Sequence, residues 1–166
     1  SEVRKQARDK VRISELQQIA TALAVYKSDI GNYPFESEGF SGGSGVGIIC
    51  TNPEVCSSSR MSTPINQLLL EYLGEGVADP LHNEGSGTKY WYYYDGRKNC
   101  SDDYHMVTVH AREMETEGAR NIDEIQSKYC DRFDTNANEG GGLTSNTAHL
   151  IIVNYLDRNG TTGEDW

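Results

Sequence analysis

With 166 residues, 36% of them hydrophobic, and a net charge of -10, the chain is long enough for one domain with a substantial core and gives no reason to expect two. An acidic balance of this size argues against nucleic acid and anionic membrane surfaces as partners, because phosphate rewards clustered Lys and Arg. The charge is uneven, however: residues 1–12 hold Arg4, Lys5, Arg8, Lys10 and Arg12 against Glu2 and Asp9, a net of +3, which leaves -13 for the rest. A basic helix on an acidic globule suits head-to-tail packing, with one subunit's helix against another's acidic domain. A solvated helix end accounts for the same charges. No run approaches the roughly eighteen consecutive apolar residues that a membrane span needs.

Ile13, Leu16, Ile19 with Ala20, Leu23, Tyr26 and Ile30 recur at steps of three and four, which predicts an uninterrupted amphipathic helix over residues 1–30. Gly31 can take positive φ and Pro34 cannot continue a helix, so the helix should end at about Ile30. Residues 31–88 form a connecting region. In it, Phe35 to Gly47 is a Gly- and Ser-rich surface loop. Thr63-Pro64, followed by Ile65, Leu68, Leu69, Tyr72 and Leu73 and closed by Gly74, predicts a short helix with a cap, an N1 proline and a terminating glycine.

Residues 89–166 carry the sheet. Lys89 to Asp95 and His105 to Arg112 are strand-like runs separated by the polar stretch Gly96 to Asp103. Asn121 to Tyr129 has the caps and spacing of another short helix, with Ile122 and Ile125 inward, and Ala148 to Leu156 is a late strand too apolar for an exposed edge. In the aromatic run, Tyr90, Tyr92 and Tyr94 share one strand face and Trp91 and Tyr93 the other. Lacking basic partners, these rings suit core packing better than base or sugar stacking.

The nine residues from Tyr26 to Pro34 resemble the Tyr-Lys-x-Asp-x-Gly-x-Tyr-Pro turn that follows the long helix of type IV pilins and type II secretion pseudopilins; the matching positions are Tyr26, Lys27, Asp29, Gly31, Tyr33 and Pro34. Two further pieces fall in family order. Asp79-Pro80 is similar to the Asp-Pro that opens the pseudopilin sheet region, although Leu81-His82 stands where an aromatic and a glycine often follow. Tyr90 to Asp95-Gly96 and then Met106 to Glu115 are similar to the first two strands, so the resemblance covers roughly residues 1 to 115.

The resemblance implies a single α+β, pilin-like domain over 1–166, with the long helix packed along one face of an antiparallel sheet and loops stapled by disulfides. It implies a non-enzymatic, structural subunit of a pilus or pseudopilus: a major pilin, a pseudopilin or an adhesive tip subunit. Its partners would be other pilin or pseudopilin subunits and the assembly machinery of the inner membrane. About two dozen apolar residues would precede Ser1 and anchor the subunit in the membrane before assembly into an extracellular filament or within the cell envelope. Leu16, Ile19, Leu23 and Tyr26 would then be helix face and domain core. Val3, Ala7 and Val11 would be the intersubunit face, and Gly31, Tyr33 and Pro34 the turn that fixes how the chain enters the domain.

Four cysteines, Cys50, Cys56, Cys100 and Cys130, lack the close pair a zinc site favours and point to disulfides in an oxidising compartment. They allow three connectivities. The short turn-forming loop Thr51 to Val55 favours Cys50–Cys56, which leaves Cys100–Cys130 to close a longer loop with a stabilisation of about 3 to 4 kcal/mol. Asp134, Asn136 and Asn138 alternate as at the start of a calcium loop, with Glu139 and three glycines following, but the glycine comes one position late and Ser145 replaces the bidentate Glu. Some secretion pseudopilins bind calcium in a late acidic Gly-rich loop, and this stretch loosely resembles it. Asp157, Asn159, Glu164 and Asp165 form a second candidate, and ordinary turns account for either. A secreted module that binds calcium or carbohydrate is therefore the alternative function. His105 and His110 are five apart, on opposite strand faces, and no nucleophile elbow is present, so no catalytic set is expected.

Overall fold

The computed structural model describes residues 1–35, 47–83, 90–99, 105–129, 147–156 and 162–166. Helix α1 spans Glu2–Ile30, about 43 Å at the usual helical rise. It ends where its sequence requires: Gly31 takes φ 102°, and its N–H donates to the Lys27 carbonyl at 2.7 Å. After a two-residue strand β1 (Ile48–Ile49) come the single turn α2 (Ser58–Met61) and helix α3 (Pro64–Tyr72), with Pro64 at its start. The strands β2 (Tyr92–Asn99) and β3 (His105–Ala111) follow, then α4 (Ile122–Tyr129), β4 (His149–Leu156) and β5 (Thr162–Asp165). The sheet is fully antiparallel in the order β1-β2-β3-β4-β5.

Strand alternation divides the core in two. Tyr92, Tyr94, Val107, Val109, Ile151 and Val153 face α1 and α3, meeting Leu16, Ile19, Leu23, Ile65 and Leu69. Met106, Leu150 and Ile152 point the other way, onto Ile122 and Ile125 of α4. The long helix therefore lies on one sheet face, and a second, smaller layer covers the opposite one. Tyr93 belongs to that second face, its ring 5.5 Å from that of His110.

Three local expectations are corrected. Strand β2 runs over Tyr92–Asn99 rather than Lys89 to Asp95, because the ladder continues past Gly96 to pair Lys98 with Met106 and Asn99 with His105 across a bulge. Polar side chains do not stop a strand whose backbone groups still find partners. Ile30 is 59% exposed instead of closing the buried stripe, since the last helical turn runs past the core before Gly31 redirects the chain. The connecting region holds β1 and α2 besides the expected helix α3, and there the Asn66 side chain joins the pieces: its Oδ1 accepts from Cys50 N–H, and its amide donates to Ile48 and Arg60 carbonyls.

Cys50 and Cys56 are disulfide-bonded with Cα atoms 5.7 Å apart, as the short loop suggested. Cys100 and Cys130 lie outside the described residues, as do Asp134, Asn136, Asn138 and Glu139, together with Asp157 and Asn159.

Candidate functional site

The buried stripe of α1 extends further toward the amino terminus than its apolar residues do. Asp9, Arg12, Leu16, Ile19 and Leu23 follow one another at steps of three and four and are all buried, so the first two members are charged. Arg12 is fully enclosed and donates four hydrogen bonds. Its Nε and Nη2 form a two-pronged pair with Asp79 at 2.9 Å each, while Nη1 reaches Asp9 and Glu115 at 2.8 Å. Its guanidinium also lies 5.1 Å from the centre of the Tyr90 ring. Arg8 grips Glu115 with a second fork at 2.7 and 2.6 Å.

The carboxylates are held from the sheet side as well. Asp9 Oδ1 accepts from the Glu115 amide at 3.0 Å, and Oδ2 from the Thr116 amide and hydroxyl at 2.8 and 2.7 Å. Asp79 Oδ1 accepts from the Leu81 amide at 2.8 Å. Two elements distant in sequence, the segment before β2 and the segment after β3, are thus tied to the helix through one arginine.

The protonation preferences follow from these contacts. The Arg8 fork first, then Arg12, holds the Glu115 carboxyl down at about 2 against the opposing cost of burial. Burial opposes the charge of Asp9, but Thr116, the Glu115 amide and Arg12 outweigh it and keep that carboxyl below its usual range. Burial likewise opposes the charge of Arg12, and Asp79, Glu115 and Asp9 outweigh it, so its pKa is raised. Glu15, one turn on, behaves in the opposite way: burial pushes its carboxyl up, only partly countered by the Tyr92 hydroxyl donating at 2.6 Å.

Turning the charges inward leaves the opposite face of α1 with few of them. Val3, Ala7 and Val11 are exposed at successive steps of four, Val3 at 74% and Val11 at 45%. The face continues through Ser14, Gln18 and Thr21 to Val25, also exposed, and carries no charge between Lys10 and Asp29. A solvated helix face is ordinarily the charged one. The expectation that the amino-terminal bases reach toward another subunit is corrected for two of the five: Arg8 and Arg12 are satisfied within their own chain. Arg4, Lys5 and Lys10 remain exposed.

The turn after the helix is docked on the sheet. Tyr33 is buried, with the Lys27 ammonium 4.7 Å from its ring centre, and the Pro34 carbonyl accepts from the Tyr94 hydroxyl at 2.6 Å. Gly96 is required beneath it, since a Cβ there would stand 2.6 Å from the Pro34 oxygen. Tyr33 thus joins the core and Pro34 is bonded to β2, while Gly31 caps the helix.

The cluster of Asp9, Arg12, Asp79 and Glu115 was not anticipated as a site. The available signal was spacing, because Asp9 and Arg12 fall in register with the apolar stripe. Among the described residues there is no group of three or more His, Cys, Asp or Glu side chains that could hold a metal ion, and no helix long and apolar enough to cross a membrane. The chain matches no protein-family model, no curated protein and no solved structure.

Proposed function

We propose that this chain is a structural subunit of a type IV pilus or type II secretion pseudopilus, with a pilin-like domain that assembles through the outward face of α1. The observation that carries the reading is the division of charge on the helix: Asp9 and Arg12 are buried in ion pairs within the chain, while Val3, Ala7 and Val11 are presented to the outside beside the exposed Arg4, Lys5 and Lys10. The buried ion pairs orient the helix within its own domain, and a neutral face over so rigid a base is suited to repeated contact with identical neighbours. Support also comes from the helix lying on an antiparallel sheet and from the docked Gly31-Tyr33-Pro34 turn, at the positions where the sequence resembles the family. In this reading the partners are other copies and minor subunits, the site is extracytoplasmic as the Cys50–Cys56 bridge favours, and the role is structural rather than catalytic.

Immunogold labelling of the native cells tests it. Label along surface filaments or an envelope-spanning assembly supports a filament subunit, and label confined to a soluble secreted fraction overturns it. Val3→Asp in the native protein should abolish incorporation while changing the stability of the isolated chain by less than about 0.5 kcal/mol, checked by urea unfolding.

A further inference from the structure

The neutral face of α1 does not stay flat along its length. Past its middle it becomes one wall of a groove of about 380 Å³, with Ser14, Gln18, Thr21 and Val25 on the helix side and Leu73 and Gly74, where the chain leaves α3, on the other. The lining carries no formal charge, but carboxylates neighbour its residues. Glu71 directly precedes Tyr72, another lining residue, and Glu75 directly follows Gly74; burial first, then Asp29 and Glu71, push the Tyr72 phenol up. All three carboxylates are exposed.

The opposite end of α1 has the complementary character. Residues 1–7 are all exposed, so the first two turns of α1 stand clear of the domain; Arg4 and Lys5 outnumber the single acid Glu2 there, beside the neutral Val3 and Ala7. The bases of this end that face the sheet, Arg8 and Arg12, are already paired. Neutral residues flanked by bases at one end thus match a neutral groove flanked by acids at the other.

Resting on the subunit reading above, we infer that the groove between α1 and α3 receives the first two turns of α1 from a second copy of this chain, with Arg4 and Lys5 set against Asp29, Glu71 and Glu75. The two surfaces lie on different parts of the molecule, so the contact is head-to-tail and leaves one free surface of each kind on every growing assembly. The neutral stripe supplies the buried area, and the exposed charges set direction and register. Such a contact weakens with salt, because its ion pairs are at the rim and screened within about 8 Å at physiological ionic strength.

Sedimentation equilibrium of the chain at low and high salt, with two charge reversals, tests the contact. The chain should self-associate, and raising the salt should weaken association about tenfold, the scale expected of two or three exposed ion pairs. Arg4→Glu/Lys5→Glu and Glu71→Lys/Glu75→Lys should each be monomeric alone and associate when mixed, because an acidic helix end then meets a basic groove. Gly74→Tyr should block the groove while leaving the fold intact, since a Cβ at Gly74 meets nothing within 4 Å and its φ is not positive. A chain that stays monomeric at about millimolar concentration in low salt, or reversals that associate as the parent does, would overturn the inference. Loss on Val3→Asp with indifference to both reversals and to Gly74→Tyr would overturn the groove alone and leave the filament reading standing. Absence of the native protein from filaments would instead remove that reading, whatever the isolated chain does.

Discussion

The two halves of α1 lie on the same sheet face and are held by different physics. From Leu16 to Leu23 the helix is held by apolar packing on Tyr92, Tyr94, Val109 and Ile151, a graded interaction that tolerates small changes of position. From Arg8 to Arg12 it is held by two guanidinium forks on Glu115 and Asp79, which fix rotation and register because each hydrogen bond has a direction. The ionic half frees its outward face for neutral residues. The comparison teaches that a helix can show a weak amphipathic pattern and still be firmly oriented, with charge taking the place of leucine.

The contrast is sharpest on truncation. Arg12→Ala leaves Asp9, Asp79 and Glu115 without their shared cation, and should cost about 3 to 5 kcal/mol, more than Leu16→Ala at about 3 kcal/mol, as read from urea midpoints of the two variants. A reversal of that order would mean that the ionic half is solvated and contributes little. Acid distinguishes the halves next. Glu115 is held at about 2 against an ordinary 4.5, so its contribution is complete above the ordinary value and is lost as pH falls through that window. Asp9 acts in the same direction. Calorimetry should show stability falling by on the order of 3 kcal/mol between about pH 5 and about pH 2, and Glu115→Gln should flatten that slope.

Two smaller effects refine the boundary between the halves. Glu15 sits where the ionic region gives way to the apolar one, and its folded-state pKa is raised, so it binds its proton more readily in the folded chain and destabilises as pH rises through that range. Glu15→Gln keeps an acceptor for the Tyr92 hydroxyl and removes the buried charge; it should be neutral or stabilising by up to about 1 kcal/mol at neutral pH and without effect in acid. At the far end, Gly31→Ala should cost about 1 kcal/mol, because a side chain is strained at φ 102° although space is free around it. A thermal melt resolves either shift.

Legibility in the sequence followed the range of the interactions. Helix α1 and its end, helices α3 and α4, strand β3 and the Cys50–Cys56 loop were all readable, since each rests on local spacing or turn chemistry; the caps expected for α3 do not form, as the Thr63 hydroxyl donates to the Arg60 carbonyl and the helix ends on an extended Leu73. The end of β2 falls four residues beyond the expected Asp95 because Gly96 to Asn99 is polar, and the strand character of that stretch comes from pairing with His105 and Met106 rather than from its own composition. The ionic cluster was legible only as a coincidence of spacing at Asp9 and Arg12, for its other members are 67 and 103 residues from Arg12 along the chain.

What the sequence determined by itself, then, is the set of local units and the stripe along α1 on which they converge, because backbone preferences and periodicity act over a few residues. Tertiary structure alone decided that the first members of that stripe are an aspartate and an arginine facing inward. Burying a charge is favourable only where distant partners arrive to meet it, and Asp79 and Glu115 reach Arg12 only once the sheet has formed beneath the helix.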